Sequence, residues 1–223
     1  MRRSLIISEA GLIMSLTILA SIGKAGLVGV AGGTASPSAS LGLYTMMPFP
    51  ADSQLAGYTP VSSVESPLGG FVVFDSPLLH AVTPGEWLTW SHDYNGDVYI
   101  TAYDHSATDQ SVTMTIPEGT SAFYFYAQPS SYSFHAVYAS ASDGINVGIE
   151  INQDIDGYQG ASYYGFYGTE GSKIYSITVA CETSGFAIGE FGIASIPAPS
   201  AICLGCIGMN FFMWLRKRSK YLR

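Results

Sequence analysis

The chain lacks several features that would define a function at once. It has 3 cysteines among 223 residues, and Cys203 and Cys206 both lie in an apolar run near the C-terminus. Cys181 is therefore alone in the central region, which excludes a disulfide framework there and predicts a buried small hydrophobic residue. No phosphate-binding loop, nucleophile elbow or His-Glu-x-x-His motif is present, so nothing indicates the enzyme classes built on those motifs.

Positive charge is almost absent from the middle of the chain. Sixteen of the 17 acidic residues but only one of the nine basic residues, Lys173, lie between Ala25 and Leu215. A surface with this balance repels nucleic acid and anionic lipid, which excludes nucleic-acid binding. It suits cations, neutral glycans or simple solubility.

The remaining basic residues lie beside two apolar runs, Ala10–Ile22 and Ala201–Leu215. Cations next to an apolar segment hold that flank on the cytoplasmic side of a membrane. A chain held in this way at both ends places its acidic middle outside the cytoplasm. These basic residues are Arg2, Arg3 and Lys24 at the front, and Arg216, Lys217, Arg218, Lys220 and Arg223 at the back.

The front of the chain, residues 1–25, has the features of a secretory signal peptide. A basic start precedes the apolar run, and Gly23 and Ala25 are small residues at the −3 and −1 positions of a cleavage site after Ala25. The run is short for a spanning helix, which needs about 20 residues.

Residues 196–223 combine a short motif, an apolar run and a basic end. Pro197, Ala198 and Pro199 form a stiff spacer before the apolar run, and Arg216, Lys217 and Arg218 form a basic stop-transfer cluster after it. The arrangement resembles the PEP-CTERM sorting signal of Gram-negative bacteria, with Ala198 in place of the family's Glu. The resemblance implies a transient membrane anchor, cleavage near Pro199 by an exosortase-like enzyme, and delivery to the cell surface or extracellular polymer. A plain C-terminal membrane anchor is the alternative interpretation.

The middle of the chain predicts strands and no helices. Short β-rich runs recur from Phe71 onward with turn residues between them, and no segment has a helical period. Trp87–Ser91 is predicted as one such strand, and in another Val112, Met114 and Ile116 form an apolar face by period-two alternation. We therefore predict an all-β protein, an antiparallel β-sandwich of jelly-roll type over residues 70–195, flanked by the signal peptide and the C-terminal transmembrane segment. Residues 26–69, rich in Gly, Ser and Pro, are predicted as a separate N-terminal segment, largely a linker, with one edge strand near Leu41–Thr45.

Four stretches of the middle also resemble exported bacterial proteins that end in this kind of sorting signal. They are Thr89–Tyr99, the aromatic strand Ala122–Ala127, Gly165–Tyr167 and Phe186–Ala194. The resemblance implies fold and context, and it implies no ligand or activity. In the aromatic strand, we expect Phe123 and Phe125 to face the core and Tyr124 and Tyr126 to be exposed or half-buried.

Asn152, Asp154 and Asp156 place oxygen-bearing side chains at alternate positions before Gly157. Calcium loops use this spacing because the backbone wraps the ion with oxygens from positions 1, 3 and 5. Calcium is therefore the one cofactor that the sequence indicates. The alternative is a polar hairpin tip between strands at Val147–Ile151 and Tyr163–Tyr167, where Asp-Gly is common.

A second candidate site is aromatic. Trp87 and Trp90, with Asp93 and Tyr94, could form a platform for sugar rings, because aromatic faces stack on the apolar faces of sugars and neighbouring carboxylates bind hydroxyls. The alternative is core packing for the rings and a hairpin turn at Asn95-Gly96.

These patterns together predict an exported, non-enzymatic cell-surface or extracellular-matrix protein that binds polysaccharide. Two alternatives remain: a calcium-dependent carbohydrate-binding module, and a secreted glycan-active hydrolase with two carboxylates in one cleft.

Overall fold

The computed structural model describes residues 26–52, 54–101, 109–145 and 147–195. These residues form fourteen strands and no helix, which confirms the all-β prediction. No helix suited to crossing a bilayer is found among them. The strands are β1 (Gly26–Gly33), β2 (Ser40–Leu41), β3 (Tyr44–Thr45), β4 (Met47–Pro48), β5 (Pro60–Glu65), β6 (Phe71–Thr83), β7 (Gly96–Ile100), β8 (Gln110–Thr115), β9 (Thr120–Pro129), β10 (Phe134–Ser142), β11 (Val147–Asp156), β12 (Ser162–Thr169), β13 (Ser176–Cys181) and β14 (Phe186–Ser195).

Twelve strands form one antiparallel sheet in the order β1-β12-β9-β14-β7-β6-β8-β13-β10-β11, with β4 beside β14 and β5 beside β6. The long strand β6 joins the two halves of this sheet. Its first part pairs with β8 through Val73 and Phe74, whereas its last part, from Leu79 to Thr83, pairs with β7. The strands β2 and β3 pair with each other in a separate small sheet.

The two end strands of the large sheet approach each other closely. A Cβ atom at Gly29 in β1 would lie 2.9 Å from Cγ1 of Ile151 in β11. Only glycine lets the backbone come this near to a neighbouring side chain. The sheet therefore folds round its largest cluster of buried hydrophobic side chains.

Aromatic side chains of β9 and β12 fill much of this core. Phe123, Phe125, Tyr164 and Phe166 are fully buried, and the rings of Phe125 and Tyr164 stack with centroids 5.3 Å apart. Burial of one side chain of this size contributes roughly 1.5–3 kcal/mol. Cys181 lies in the same core at 1% exposure, which confirms its prediction as a buried small hydrophobe.

The expectation that Tyr124 and Tyr126 are exposed or half-buried is wrong, because these side chains are 3% and 0% exposed. Leu41 and Met46 pack with them in a second cluster, and the Tyr126 hydroxyl donates to the carbonyl oxygen of Ala35. The N-terminal segment thus covers the outer face of β9.

The same contacts revise the role predicted for residues 26–69. The structure places five strands in this segment: β1 pairs with β12, β4 with β14 and β5 with β6. Its Gly- and Ser-rich composition conceals them, since small residues lack a clear hydrophobic alternation. The predicted boundary at residue 70 does not separate two structural units.

The strand predicted at Trp87–Ser91 is also absent. Residues 84–95 form a loop between β6 and β7, with a turn in which the Tyr94 N–H donates to the Ser91 carbonyl oxygen (3.1 Å). The predicted Asn95-Gly96 hairpin turn therefore does not join two strands. The aromatic residues of this loop are held by side-chain hydrogen bonds rather than by strand pairing.

Candidate functional site

The 84–95 loop is anchored where it leaves β6. The Glu86 carboxylate accepts a hydrogen bond from the Val82 N–H at 3.0 Å. The Glu86 and Trp87 N–H groups both donate to the Val82 carbonyl oxygen, at 3.0 and 3.3 Å. This anchor fixes the backbone from which the Trp87 side chain projects.

Trp87 is held by a buried amide of β9. Its indole Nε1 donates to Oε1 of Gln128 at 2.7 Å, and the Gln128 Nε2 donates to Thr89 Oγ1 (2.8 Å) and to the Gly157 carbonyl oxygen (2.6 Å). Gln128 is 0% exposed. Its oxygen and both amide hydrogens thus have partners, so one side chain ties together the loop, β9 and the turn after β11.

A shallow groove of about 130 Å³ lies beside Trp87 and is bordered by Leu88, Pro129 and Tyr132. The rings of Tyr132 and Tyr158 meet edge to face with centroids 6.0 Å apart. Leu88, Tyr132 and Tyr158 are 72%, 66% and 71% exposed. We call this set of residues the Trp87 groove. Tyr132 and Tyr158 present their rings to solvent, whereas Trp87 is half-buried and packs against a buried cluster of β6, β7 and β14.

Trp90 has a different environment. Its Nε1 donates to Glu190 Oε2 at 3.1 Å, and His92 Nε2 lies 2.7 Å from Glu190 Oε1. The other ring nitrogen of His92 faces the Thr34 carbonyl oxygen at 3.2 Å. Because both ring nitrogens of His92 face oxygens, one proton must be shared between the imidazole and the carboxyl group.

Glu190 is buried, at 9% exposure, on a bulge of β14. Burial raises the pKa of Glu190, and the hydrogen bonds from His92 and Trp90 oppose this rise. Glu190, His92 and Asp93 all have positive φ, at 51°, 44° and 57°. Such strain in non-glycine residues persists only where surrounding contacts over-determine the backbone, which fits a structural role for this cluster.

Asp93 and Tyr94 complete the predicted aromatic site. Asp93 is exposed, whereas Tyr94 is half-buried against Trp90, with ring centroids 6.3 Å apart. Burial is the main cause that raises the pKa of the Tyr94 hydroxyl. Of the four predicted residues, Trp87 borders the exposed aromatic groove, and Trp90 and Tyr94 pack together beside Glu190.

The residues predicted for calcium lie on a strand. Asn152, Asp154 and Asp156 occupy alternate positions of β11, where an extended backbone separates them by roughly 6.6 Å per step. The Asp156 carboxylate accepts from the Tyr158 N–H (3.0 Å) and from Gln159 Nε2 (3.1 Å). Asp156 thus builds the turn that displays Tyr158. No group of three or more His, Cys, Asp or Glu side chains suited to a metal ion occurs in the described ranges.

Sequence reasoning missed a second buried pair of a histidine and a carboxylate. His80 Nε2 lies 3.0 Å from Asp97 Oδ1, and the Asp52 N–H donates to Asp97 Oδ2 at 2.6 Å. His80 Nδ1 faces the Ala56 carbonyl oxygen at 3.3 Å. The pair fixes the 52–56 segment onto β6 and β7. Its one sequence signal is that each polar residue adjoins a short apolar run, His80 after Leu78-Leu79 and Asp97 before Val98–Ile100.

Pro197, Ala198 and Pro199, and the basic cluster Arg216, Lys217 and Arg218, lie outside the described residues. Comparison with protein-family models and with curated proteins finds no match for this chain.

Proposed function

We propose that this is an exported, non-enzymatic cell-surface or extracellular-matrix protein that binds polysaccharide through the Trp87 groove. The observation that carries the proposal is a pair of exposed tyrosine rings, Tyr132 and Tyr158, beside the half-buried Trp87, whose indole is held by the buried Gln128 amide. Aromatic faces stack on sugar rings, and a ring that is already fixed loses little conformational entropy when a ligand binds.

Groups that bind hydroxyls border the same surface. The groove is lined by Glu86, Thr89 and Ser130 as well as by its aromatic residues. The groove holds only about 130 Å³, too little to enclose a typical small-molecule ligand, which suits contact with one segment of a longer chain.

We infer that the folded sheet is a jelly-roll sandwich. In support, the eight consecutive strands β7 to β14 divide between two halves in the orders β12-β9-β14-β7 and β8-β13-β10-β11. Two Greek keys wound together give such an order. Lectin domains use this architecture, although a fold alone does not assign a function.

We also propose that residues 1–25 direct export and that residues 196–223 anchor the chain in the membrane until an exosortase-like enzyme cleaves it near Pro199. The charge distribution supports this route, since basic residues concentrate beside the two terminal apolar runs. Intact-mass measurement of the protein recovered from the native host tests it. Mature termini near residues 26 and 199 are expected, and an uncut intracellular chain would overturn it.

Glycan binding is tested with an array of neutral oligosaccharides and the full chain, each with and without calcium. Trp87→Ala and Tyr158→Ala should each weaken binding about tenfold, since a lost aromatic contact is worth on the order of 1 kcal/mol. Leu43→Ala, which alters an exposed apolar side chain between β2 and β3 (93%), is the control and should bind as the wild type does. Binding that is unchanged by Trp87→Ala would refute the groove, calcium dependence would favour the calcium-dependent module, and release of reducing ends would favour a hydrolase.

A further inference from the structure

A second cavity, of about 730 Å³, opens at the opposite end of β9 from the Trp87 groove. Four loops or strand ends border it: the start of β6 at Phe71, the β8–β9 turn at Glu118, the β10–β11 loop at Asp143, and the segment Lys173–Tyr175 before β13. We call this space the Lys173 cavity.

Lys173 is the one Lys or Arg in the described ranges, which carry fifteen carboxylate side chains. Within those ranges, no carboxylate oxygen lies within 4.0 Å of its ammonium group, since the ion pairs there join His80 to Asp97 and His92 to Glu190. Its Nζ donates to Ser121 Oγ at 2.6 Å. An ammonium group has three donors, so two more hydrogen bonds can be made to a ligand.

The segment that carries Lys173 is fixed by backbone hydrogen bonds. The Ile174 N–H donates to the Thr120 carbonyl oxygen at 2.9 Å, and the Tyr175 N–H donates to the Ser142 carbonyl oxygen at 2.8 Å. Ile174 is buried in the core at 2% exposure. Lys173 and Tyr175 are its neighbours on either side, and both line the cavity. The cation and an aromatic ring are therefore presented together.

The remaining lining is apolar with a few acceptors. Phe71 and Tyr175 are 54% and 59% exposed, and the Glu118 carboxylate and the Thr115 hydroxyl lie on the rim. Partial burial lowers the pKa of Lys173. A single cation between exposed rings and hydroxyl acceptors has the composition of a sugar site with one anionic contact.

We propose that the Lys173 cavity binds an acidic sugar, with a uronate carboxylate on Lys173 Nζ and the sugar ring against Tyr175 or Phe71. This assignment rests on the proposed glycan-binding function and names the class of sugar for a second subsite. Because Glu118 and Asp143 border the same cavity and the domain is acidic, a polyanion is repelled. The ligand is therefore a mainly neutral chain with isolated uronate residues.

The test is calorimetric titration of the full chain with a neutral oligosaccharide that carries one glucuronate, and with its carboxyl-reduced analogue. Wild type should prefer the uronate form by about tenfold, since a charge-assisted hydrogen bond gives a factor of this order. Lys173→Met keeps the apolar stem and should abolish the preference, whereas Lys173→Arg should retain it. Thermal unfolding of each variant checks that the fold is intact.

Phe134→Ala is the matched control, because Phe134 is an exposed ring (68%) at the opposite end of β10 from Ser142 and lines neither the Lys173 cavity nor the Trp87 groove. It should leave the uronate preference unchanged. Equal binding of the two oligosaccharides by the wild type, or an unchanged preference in Lys173→Met, would overturn the inference. So would a Lys173-dependent response to an acidic peptide with no response to the uronate. If neutral glycans still bind in a Trp87-dependent way, the proposed function survives that result. If no glycan binds at all, both proposals fail.

Discussion

The two ends of β9 hold their surface residues in similar ways but offer different chemistry. At one end the buried Gln128 amide binds the indole of Trp87, and at the other end the buried Ser121 hydroxyl binds the ammonium of Lys173. Seven residues separate Gln128 from Ser121, or about 23 Å along a strand. One end combines aromatic rings with the Glu86 carboxylate, and the other carries the one Lys or Arg of the described ranges.

The fully buried strand β9 positions two surfaces, the Trp87 groove and the Lys173 cavity. All ten residues of β9 are buried, so a polar side chain there must find a partner inside the protein. Near each end of the strand, that partner belongs to a residue that also lines a groove or cavity. The polar residues Gln128 and Ser121 of β9 therefore anchor Trp87 and Lys173 by hydrogen bonds.

Gln128→Ala should give the largest effect and should act at one end alone. The variant leaves the Trp87 Nε1 and the Gly157 carbonyl oxygen without their buried partner, which should lower the free energy of unfolding by roughly 2–4 kcal/mol. Urea denaturation measures this loss, and glycan titration should show weakened binding at the Trp87 groove. A stable variant with unchanged glycan affinity would contradict the anchoring role.

Trp87→Ala and Tyr175→Ala should have reciprocal effects on binding, on the order of tenfold each. The first should weaken neutral glycans, and the second should weaken the uronate-bearing oligosaccharide, because each ring lies at a different end of β9. Titration of both variants with both ligands checks this. If both variants weaken the same ligand equally, the two ends do not act as separate sites.

Glu190→Gln tests whether the cluster of Trp90, His92 and Glu190 has a structural role that is separate from binding at Trp87. Because burial raises the pKa of Glu190, the folded protein holds the proton of the Glu190 carboxyl group more tightly than the unfolded chain does. Its contribution to stability is therefore full below the ordinary glutamate pKa of 4.5 and is lost as the pH rises through the folded-state pKa.

The glutamine variant lacks this dependence and can still accept from Trp90 Nε1 and donate to a neutral His92. Relative to the wild type, it should gain stability as the pH rises above the ordinary glutamate pKa of 4.5. Thermal unfolding across that range measures the difference. A gain in stability that shrinks with rising pH would contradict the raised pKa of Glu190. Glycan binding at Trp87 should not change.

Ser121→Ala should have the smallest effect. It removes the Lys173 hydrogen bond and should cost about 1 kcal/mol of unfolding free energy. Urea denaturation of Ser121→Ala and Gln128→Ala compares the loss of unfolding free energy at the two ends of β9. A loss as large as that of Gln128→Ala would mean that the two anchors are equivalent.

The sequence predicts the strands with the clearest alternation and misses what depends on tertiary partners. Val112, Met114 and Ile116 are buried as their period-two pattern predicts. The Trp87–Ser91 segment has strand-like residues but forms a loop, because its indoles bind Gln128 and Glu190 from distant strands. No local pattern encodes partners that are 41 and 100 residues away.

The candidate sites follow the same rule. Sequence reasoning selects Trp87, yet it could not separate Trp87 from Trp90, because the difference lies in the hydrogen-bond partners of their indole N–H groups, Gln128 and Glu190. Tyr132 and Tyr158 were missed because they come together through two turns, one of them built by the Asp156 carboxylate. Lys173 is conspicuous in the sequence as an isolated cation, but its cavity depends on four chain segments.

Glycan binding at the Trp87 groove is tested most directly by a crystal structure of the protein with a bound neutral oligosaccharide. Sugar rings are expected to stack over Trp87 and to lie beside Tyr132 and Tyr158. A well-ordered oligosaccharide bound elsewhere, with the Trp87 groove empty, would contradict it.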